Sequence, residues 1–248
     1  MNAPGSASVP DDATRSFLSI AIDIALGAGA ITLEHFGKVR SADTKADGSP
    51  VTVADRETEA FLRDGIRERF PGHGILGEEF GEDPGSEPIR WIVDPIDGTR
   101  SFLQGVPLYA VLVGVEVEGI PMVGVAHFPA LAETVAAGRG LGCSWVGGNG
   151  GERVSARVSD TADLAAALAL TSDPGSILSS AIGQGWADLC RRVRLVRGWG
   201  DAYGHALVAT GRADIMVDPV LCPWDAAALI PILSEAGGCF TDLRGVET

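Results

Sequence analysis

The stretch WIVDPIDGTRSF, residues 91–102, places two carboxylates directly after an apolar run. The apolar residues predict a buried strand, and Asp94 and Asp97 lie where that strand ends. Pro95 has a fixed φ angle and Gly98 permits a sharp reversal, so both carboxylates can point toward one place. Buried carboxylates need a cation or hydrogen-bond donors, because their desolvation is costly. The stretch therefore predicts either a site for a hard cation or an ordinary Asp-Pro, Asp-Gly turn.

Further carboxylates occur in similar surroundings along the chain. Mg²⁺ prefers carboxylate and carbonyl oxygens, and the Ile96 carbonyl between the two aspartates offers one more ligand. Glu78 ends a short strand in GEEF, and Asp225 begins an apolar helix in PWDAAAL. Each also has a structural interpretation, GEEF as the start of a solvated acidic loop and Asp225 as a helix N-cap. Asp55 equally fits the acid of a capping box with Thr52.

The formal net charge of -14 over 248 residues limits the partners of this chain. Binding to a nucleic-acid backbone needs clustered Lys and Arg, which the sequence lacks, so no nucleic-acid partner is expected. The same negative charge repels a small phosphorylated substrate unless bound cations reverse the local field. With 46% hydrophobic residues, the chain can bury a large core as one α/β domain or as two subdomains.

The N-terminal segment and the most apolar segment predict a protein without a membrane partner. Residues 1–12 have neither the basic nor the apolar part of a signal peptide and are expected to be a disordered lead-in. The apolar segment 17–36 is interrupted by Asp23 and Glu34, which favours an amphipathic helix over a membrane span. A cytoplasmic location is therefore expected.

Hydrophobic periodicity divides the chain into two halves. Residues 13–150 predict an α+β half with an antiparallel sheet, and residues 151–248 predict an α/β half. The Gly-rich segment LGCSWVGGNGG is predicted as a loop near the boundary between them.

The first half is expected to contain a helix from Asp11 or Asp12 to Gly37, a helix ending near Phe70, strand GILGEE, a solvated loop from Glu79 to Glu87, strand IRWIVD and antiparallel strands over 108–137. The second half is expected to alternate strand LAAALALT, a helix from Pro174 towards Arg191, strand RLVRG, helix DAYGHALVATG, strand ADIMVD, helix WDAAALIPILSEAGG and strand CFTD.

Three ordered motifs resemble those of a known family. GEE, WIVDPIDGT and PWDAAALIPILSEAGG, at these separations, are similar to the motifs of the inositol monophosphatase family of Mg²⁺-dependent, lithium-sensitive sugar and alcohol phosphatases. The resemblance extends from about Phe17 to Asp242. It implies a layered αβαβα sandwich of the α/β (α+β) class, with a metal site in the cleft between the two halves. Related chains continue past CFTDLRG with a strand and a helix, so the second half is expected to be shortened at its end.

The resemblance also implies roles for individual residues. Two Mg²⁺ ions, with a region for a third and more weakly held ion, are the implied cofactors. Thr99 and Glu78 would position the attacking water, and Asp55 would be catalytic and, near Lys45, part of the third-metal region. The backbone amides of Gly98 and Thr99 would bind the phosphate. The implied metal ligands are Glu78, Asp94, the Ile96 carbonyl, Asp97 and Asp225.

Two further segments indicate one branch of this family. DPIDGTRSF, with Arg100, and RGWGDAYGHALVATGRADIMVDP look most like histidinol-phosphate phosphatases, whereas inositol-type members usually read GTTNF at the first place. Asp201 and Asp218 would contact the substrate, since acids favour the ammonium and imidazole groups of histidinol phosphate. Arg197 and Arg100 complete the predicted contacts. Asp201 also fits a helix cap, and Asp218 also fits the end of a strand.

The resulting hypothesis is Mg²⁺-dependent hydrolysis of L-histidinol phosphate to L-histidinol and phosphate in histidine biosynthesis, by a homodimer. The alternatives are an inositol-1-monophosphatase or broad sugar and alcohol monophosphatase, and a catalytically weak relative that binds metal. Asp94 and Asp97 do not form the D-x-D of aspartyl-phosphate enzymes, and no cysteine begins a Cys-x5-Arg motif. The histidines occur singly, so His205 and the others are expected to be surface or packing residues.

Overall fold

The computed structural model describes residues 11–39, 42–45, 50–148 and 151–247. Of the lead-in expected over residues 1–12, residues 1–10 lie outside the described residues, and Asp11 and Asp12 begin the first helix. The helices are α1 Asp11–His35, α2 Val53–Arg69, α3 Thr99–Leu103, α4 Pro174–Ser179, α5 Gly183–Arg192, α6 Asp201–Ala209, α7 Pro223–Ala226 and α8 Leu229–Glu235. The strands are β1 Asp43–Thr44, β2 Pro50–Val51, β3 Gly74–Gly77, β4 Gly81–Asp83, β5 Ile89–Asp97, β6 Ala110–Val117, β7 Ile120–Phe128, β8 Glu133–Gly138, β9 Gly142–Val146, β10 Arg153–Ser155, β11 Leu168–Leu170, β12 Leu195–Arg197 and β13 Ile215–Met216.

Two sheets carry most of the strands in the described part of the chain. The main sheet has eight strands in the order β10-β9-β8-β7-β6-β5-β3-β4. Its neighbouring strands are antiparallel, except that β3 runs parallel to β5. The second sheet is parallel, with the order β12-β11-β13. A mixed sheet and a parallel sheet together give the predicted α/β (α+β) class.

The side chains of β6 alternate between the two faces of the main sheet. Val111, Val113 and Val115 belong to the apolar cluster formed with α1 and α2. Ala110 and Leu112 belong to the opposite cluster, which contains residues of α6 and α8. Successive side chains of a strand point to opposite faces, so the helices cover the main sheet on both sides.

The second sheet extends this layering. Leu207 of α6 packs with Leu168 and Leu170 of β11, so α6 lies between the two sheets. Ala169, on the other side of β11, packs with Ile177 of α4 and with residues of α5. The order of layers is therefore helix, sheet, helix, sheet, helix, and the predicted αβαβα sandwich is confirmed.

Helix α1 is long and apolar enough to cross a membrane by length and composition. Its stripe of Phe17, Ile24 and Ala28 is buried against the main sheet and α2. It therefore packs as the core helix of an α/β domain, with Asp23 on its exposed side.

The Gly-rich segment predicted as a loop contains strand β9, so that prediction is wrong. Residues 142–146 pair with β8 on one side and β10 on the other. Gly140 and Gly142 have φ angles of 78° and 79°, so the glycines form the tight turn that precedes the strand. Strand β10 follows residue 150 and extends the main sheet past the predicted boundary between the halves.

Three other predicted elements are interrupted. The helix expected from Pro174 breaks between α4 and α5, where the Ser180 hydroxyl donates to the Ile177 carbonyl at 2.7 Å. The helix expected from Trp224 divides into α7 and α8, since Pro231 has no N–H to continue the ladder. A 3₁₀ turn over 164–166 replaces the first half of strand LAAALALT.

The segment CFTD is not a strand among the described residues, contrary to the prediction. Thr241 forms an isolated bridge with Glu247. The Asp242 carboxylate accepts from the N–H groups of Arg244 at 2.8 Å and Val246 at 3.0 Å. These bonds favour a local turn over an extended strand.

Two glycines face each other on β6 and β7 and allow a close approach to α7 and α8. Gly114 pairs with Gly124 in the register of these strands. A Cβ atom on Gly124 would lie 1.9 Å from the Ala228 carbonyl oxygen, and one on Gly114 would lie 3.0 Å from Ala227. The α7–α8 junction therefore rests directly on the sheet, which fixes the position of Asp225 in α7.

Substitution Gly124→Ala should destabilise the protein by about 1–3 kcal/mol, because the added methyl group forces backbone apart in a packed core. Gly185→Ala is the matched control, since a Cβ there meets nothing within 4 Å and Gly185 lies inside α5. The control should be neutral or stabilising by up to about 1 kcal/mol. Urea unfolding measures both, and equal free energies of unfolding for the two variants would contradict the close approach.

Burial of His127 should make stability depend on pH. Its ring is 7% exposed and is within 2.9 Å of the Thr134 hydroxyl. Burial lowers the pKa of His127 from 6.5 to about 4, so the unfolded chain takes up this proton first as the pH falls. The free energy of unfolding should therefore lose about 3 kcal/mol from this residue between pH 6.5 and pH 4. Urea unfolding of the wild type and His127→Gln should show a smaller loss in the variant, and identical pH slopes would count against this assignment.

Candidate metal centre and substrate cavity

A cavity of about 610 Å³ opens where β5 ends, between α3, α6 and α7. Its walls combine carboxylates from both halves of the chain with serines and a histidine. The sequence-predicted residues that line it are Glu78, Asp94, Ile96, Asp97, Gly98, Thr99, Arg100, Asp201, Asp218 and Asp225. Distant segments therefore converge on one pocket.

The centre of the cavity is a cluster of three aspartates. Asp94, Asp97 and Asp225 each offer an oxygen, and these atoms lie within 4.8 Å of one another. The pairing of β5 with β6 is irregular between Asp94 and Asp97, and this irregularity lies where both carboxylates reach the cavity. Asp225 comes from α7, more than a hundred residues later in the chain.

Backbone amides hold these three carboxylates in place. The Ile96 N–H donates to Asp94 Oδ1 at 3.0 Å, and the Cys222 N–H donates to Asp225 Oδ2 at 2.6 Å. A third bond, from the Ala202 N–H to Asp97 Oδ2 at 2.7 Å, joins β5 to the start of α6. One oxygen of each carboxylate is thus oriented by the chain. Asp225 is the third residue of α7, in a capping box, and also lines the cavity.

Within the described residues, the nearby cations Lys45 and Arg100 pair with carboxylates outside this cluster. Burial raises the pKa of Asp94 well above its ordinary value, and the charges of Glu78 and Asp97 raise it further. Burial also raises the pKa of Asp97, and it raises that of Asp225 to about 6. Three carboxylates around one point are typical ligands of a hard divalent cation, and Ile96 lines the same cavity. The residues present therefore fit such an ion.

Glu78 lies in the turn between β3 and β4, beside a lysine. Lys45 Nζ is 2.6 Å from Glu78 Oε1 and 2.6 Å from Glu79 Oε1. Burial alone would lower the Lys45 pKa, but its bonds to both glutamates raise it overall. The Glu79 side chain is 5% exposed, and burial raises its pKa to about 7. The expectation that Glu79 faces solvent is therefore wrong, because its carboxylate turns inward to pair with Lys45.

Asp55 completes the capping box of α2 and also contacts Thr99 beside the cavity. Its Oδ2 accepts from the Thr52 N–H at 2.8 Å and from the Thr52 hydroxyl at 2.6 Å, which completes the capping box of α2. Its Oδ1 is 3.4 Å from the Thr99 hydroxyl, which also donates to the Ile96 carbonyl at 3.1 Å. Asp55 is fully buried and reaches the cavity through Thr99.

Gly98 makes the sharp turn from β5 into α3. Its φ angle is 81°, and a Cβ atom there would lie 2.9 Å from Asp201 Oδ2. Glycine is therefore needed both for the backbone angle and for the approach of Asp201. Arg100 follows with a side chain that is 78% exposed, 3.9 Å from Asp173 at the rim of the cavity.

The wall opposite the aspartate cluster is also acidic. Asp218 Oδ1 accepts from the Ser172 N–H at 3.0 Å, and its Oδ2 is 3.2 Å from His205 Nε2. Burial would raise the pKa of Asp218, but these bonds outweigh it and hold the pKa below its ordinary value. Burial and the charge of Asp218 raise the pKa of Asp201 to about 6.

His205, expected to be a surface or packing residue, is 5% exposed, packs against Phe240 and also lines this wall. It lies one helical turn after Asp201 in α6, and that i, i+4 spacing was the signal available in the sequence. Ser172, which follows β11, was also missed. Arg197 does not line the cavity, and its guanidinium donates to the Val196 carbonyl at 2.8 Å.

Comparison with known proteins shows the family of this chain. A sequence model of the inositol monophosphatase family matches residues 13–247. Histidinol-phosphatase from Chlorobaculum parvum is 46% identical over 233 residues, which cover 93% of this chain and 87% of that protein. Histidinol-phosphatase from Mycobacterium tuberculosis is 39% identical over 231 residues, covering 92% and 88%. The solved structure of a Thermotoga maritima IMPase has a TM-score of 0.82 at 33% identity, covering 94% of this chain and 87% of that one. The chain belongs to the inositol monophosphatase family.

Proposed function

We propose that this chain is a Mg²⁺-dependent phosphomonoesterase that hydrolyses L-histidinol phosphate to L-histidinol and phosphate in histidine biosynthesis. The observation that carries this proposal is the single cavity that joins an aspartate cluster to a second acidic wall. The similarity to two proteins named histidinol-phosphatase supports the choice of substrate.

The proposed metal ligands are the groups that surround the aspartate cluster. Two Mg²⁺ would offset the negative charge of the four carboxylates, and Asp55 with Lys45 would border a third, weaker position. When bound, Mg²⁺ supplies positive charge for the phosphoryl oxygens and lowers the pKa of the attacking water. The ligands are Glu78, Asp94, the Ile96 carbonyl, Asp97 and Asp225.

The side chains around this cluster would orient water and phosphate. The Thr99 hydroxyl lies against Asp55 Oδ1, so its lone pairs can accept from the attacking water while Asp55 takes the proton. Glu78 would hold the same water from the other side. The backbone amides of Gly98 and Thr99 would bind phosphate oxygens, and Arg100 would add charge at the rim.

The alcohol part of the substrate would lie against the acidic wall. Asp218 is ionised at neutral pH because its bonds to His205 and Ser172 lower its pKa, so it can pair with an ammonium group. Asp201 lies beside Gly98, so it would lie close to both the phosphate and the alcohol of a bound ester. A neutral polyol would leave these desolvated carboxylates without a cationic partner, which favours histidinol phosphate over inositol phosphate.

An inositol-1-monophosphatase or broad sugar and alcohol monophosphatase is the second candidate. The similarity to the Thermotoga maritima IMPase structure favours it, since the metal cluster alone does not select the alcohol. We also propose that the protein acts in the cytoplasm as a homodimer, which light scattering after size exclusion would test.

A panel of phosphate esters separates these candidates. With Mg²⁺, histidinol phosphate should be hydrolysed with a kcat/KM at least about tenfold above that for inositol 1-phosphate, because only its cations match Asp201 and Asp218. Chelation by EDTA should abolish both activities. Faster turnover of inositol 1-phosphate would replace the substrate assignment, and absence of phosphate release from every ester would favour a binding protein.

Substitution Asp97→Asn should uncouple metal binding from stability. The Asn oxygen can still accept from the Ala202 N–H, so the fold should persist, whereas Mg²⁺ affinity should fall at least about tenfold and hydrolysis should fall with it. Removing one of several crowded charges should leave the metal-free variant at least as stable as the wild type. Asp188→Asn, at an exposed pair with Arg191, is the control. Calorimetric Mg²⁺ titration and urea unfolding provide the readouts, and unchanged Mg²⁺ affinity would exclude Asp97 as a ligand.

A further inference from the structure

Glu59 is a fully buried carboxylate whose contacts lead to the turn that carries Glu78. Its Oε2 accepts from the Glu79 N–H at 2.6 Å, and its Oε1 accepts from the Phe80 N–H at 3.2 Å. The same Oε1 accepts from Arg63 Nε at 2.8 Å. The carboxylate of one α2 residue thus binds two successive amides of a distant turn.

The turn itself is a tight hairpin loop between β3 and β4. Gly77 pairs with Gly81, which leaves residues 78–80 as the loop, and Gly81 has a φ angle of 70°. A Cβ atom on Gly77 would lie 2.0 Å from Glu59 Oε1, so glycine is needed for the carboxylate to enter. Arg63 donates to the Gly81 carbonyl, so the Glu59–Arg63 pair holds both ends of the loop.

Stability alone is a poor explanation for this buried ion pair. Arg63 is 4% exposed, and desolvating two charges offsets most of their attraction. Its effect is geometric, because two amides and a carbonyl of the loop are fixed to a rigid helix. The Glu78 side chain projects from this loop toward Lys45 and the aspartate cluster.

We propose that Glu59, paired with Arg63, is a positioning residue that fixes the loop of Glu78 for metal binding. This inference rests on the proposed role of Glu78 as a ligand. Asp55 lies one turn before Glu59 on α2 and contacts Thr99. A single helix therefore orients both the proposed metal-binding loop and the proposed water-orienting hydroxyl.

The test uses the full chain and compares variants in two ion pairs that α2 forms. The first variant, Glu59→Gln, removes the buried negative charge. The double variant Glu59→Gln with Arg63→Met removes it as well and avoids leaving the arginine buried without a partner. Arg67→Gln is the matched control, because Arg67 joins α2 to Asp83 of β4 at 2.6 Å through an exposed pair. Glu59→Asp keeps the charge beside Arg63 but shortens its reach, so it keeps the test decisive should the neutral variants fail to fold.

Calorimetric titration with Mg²⁺ is the main readout, with hydrolysis against Mg²⁺ concentration as the second. The Glu59 variants should bind Mg²⁺ at least about tenfold more weakly, as expected for a group that orients a metal ligand. At saturating Mg²⁺ the KM for the ester should stay within about twofold. Arg67→Gln should leave Mg²⁺ affinity unchanged.

Glu78→Gln separates the failure of this inference from failure of the proposed function. If Glu78→Gln weakens Mg²⁺ binding while the Glu59 variants lower only the Tm, Glu59 has a merely structural role and the inference is overturned. If Glu78→Gln leaves Mg²⁺ affinity unchanged, the proposed ligand set fails and the inference fails with it.

Discussion

Repulsion among buried carboxylates at the end of β5 is the constraint on which the site depends. Asp94 is 1% exposed, and its oxygen lies within 4.8 Å of oxygens from Asp97 and Asp225. The backbone amides that bind these groups orient them but do not neutralise them. Such a cluster must take up either protons or cations, because ionised carboxylates at this spacing are mutually destabilising. The acidity of the chain thus becomes a means of recruiting cations and, through them, phosphate.

The surrounding fold keeps the carboxylates from moving apart. Facing glycines on β6 and β7 bring the α7–α8 junction onto the sheet, which places Asp225 beside β5. Helix α2 contributes Asp55 and Glu59 from one face, and α6 contributes Asp201 and His205 from another. The aspartates that line the cavity therefore come from strand β5 of the main sheet and from the second half of the chain, where α6 and α8 pack on one face of that sheet. Relief of the repulsion by movement would require separating packed layers.

Local signals in the sequence were sufficient for part of this site. Asp94, Asp97 and Gly98 lie within one strand end and turn, and their convergence follows from short-range geometry. The layered fold was also predictable, since it follows from the family motifs and the hydrophobic pattern. Glu79 was misjudged because its burial depends on Lys45, which is distant in sequence. Arg197 was predicted from the resemblance of its segment to histidinol-phosphate phosphatases, but β12 places it outside the cavity.

The predicted boundaries of helices and strands were wrong where side-chain hydrogen bonds or glycine turns interrupt the regular structure. The Ser180 hydroxyl ends α4, and Asp242 turns the segment that was expected to be a strand. The glycines before β9 suggested a loop, although they form the turn that lets the strand pair. These outcomes depend on which of the competing hydrogen bonds form in the folded chain, and secondary-structure propensity alone does not determine that.

The central claim is that the carboxylates from separate layers hold divalent ions together. Anomalous diffraction from crystals grown with Mn²⁺, a scattering substitute for Mg²⁺, tests it most directly. The account predicts anomalous peaks coordinated by Asp94, Asp97 and Asp225, with Glu78 joining them. Peaks located elsewhere on the protein, or no peak in this cavity at saturating Mn²⁺, would contradict it.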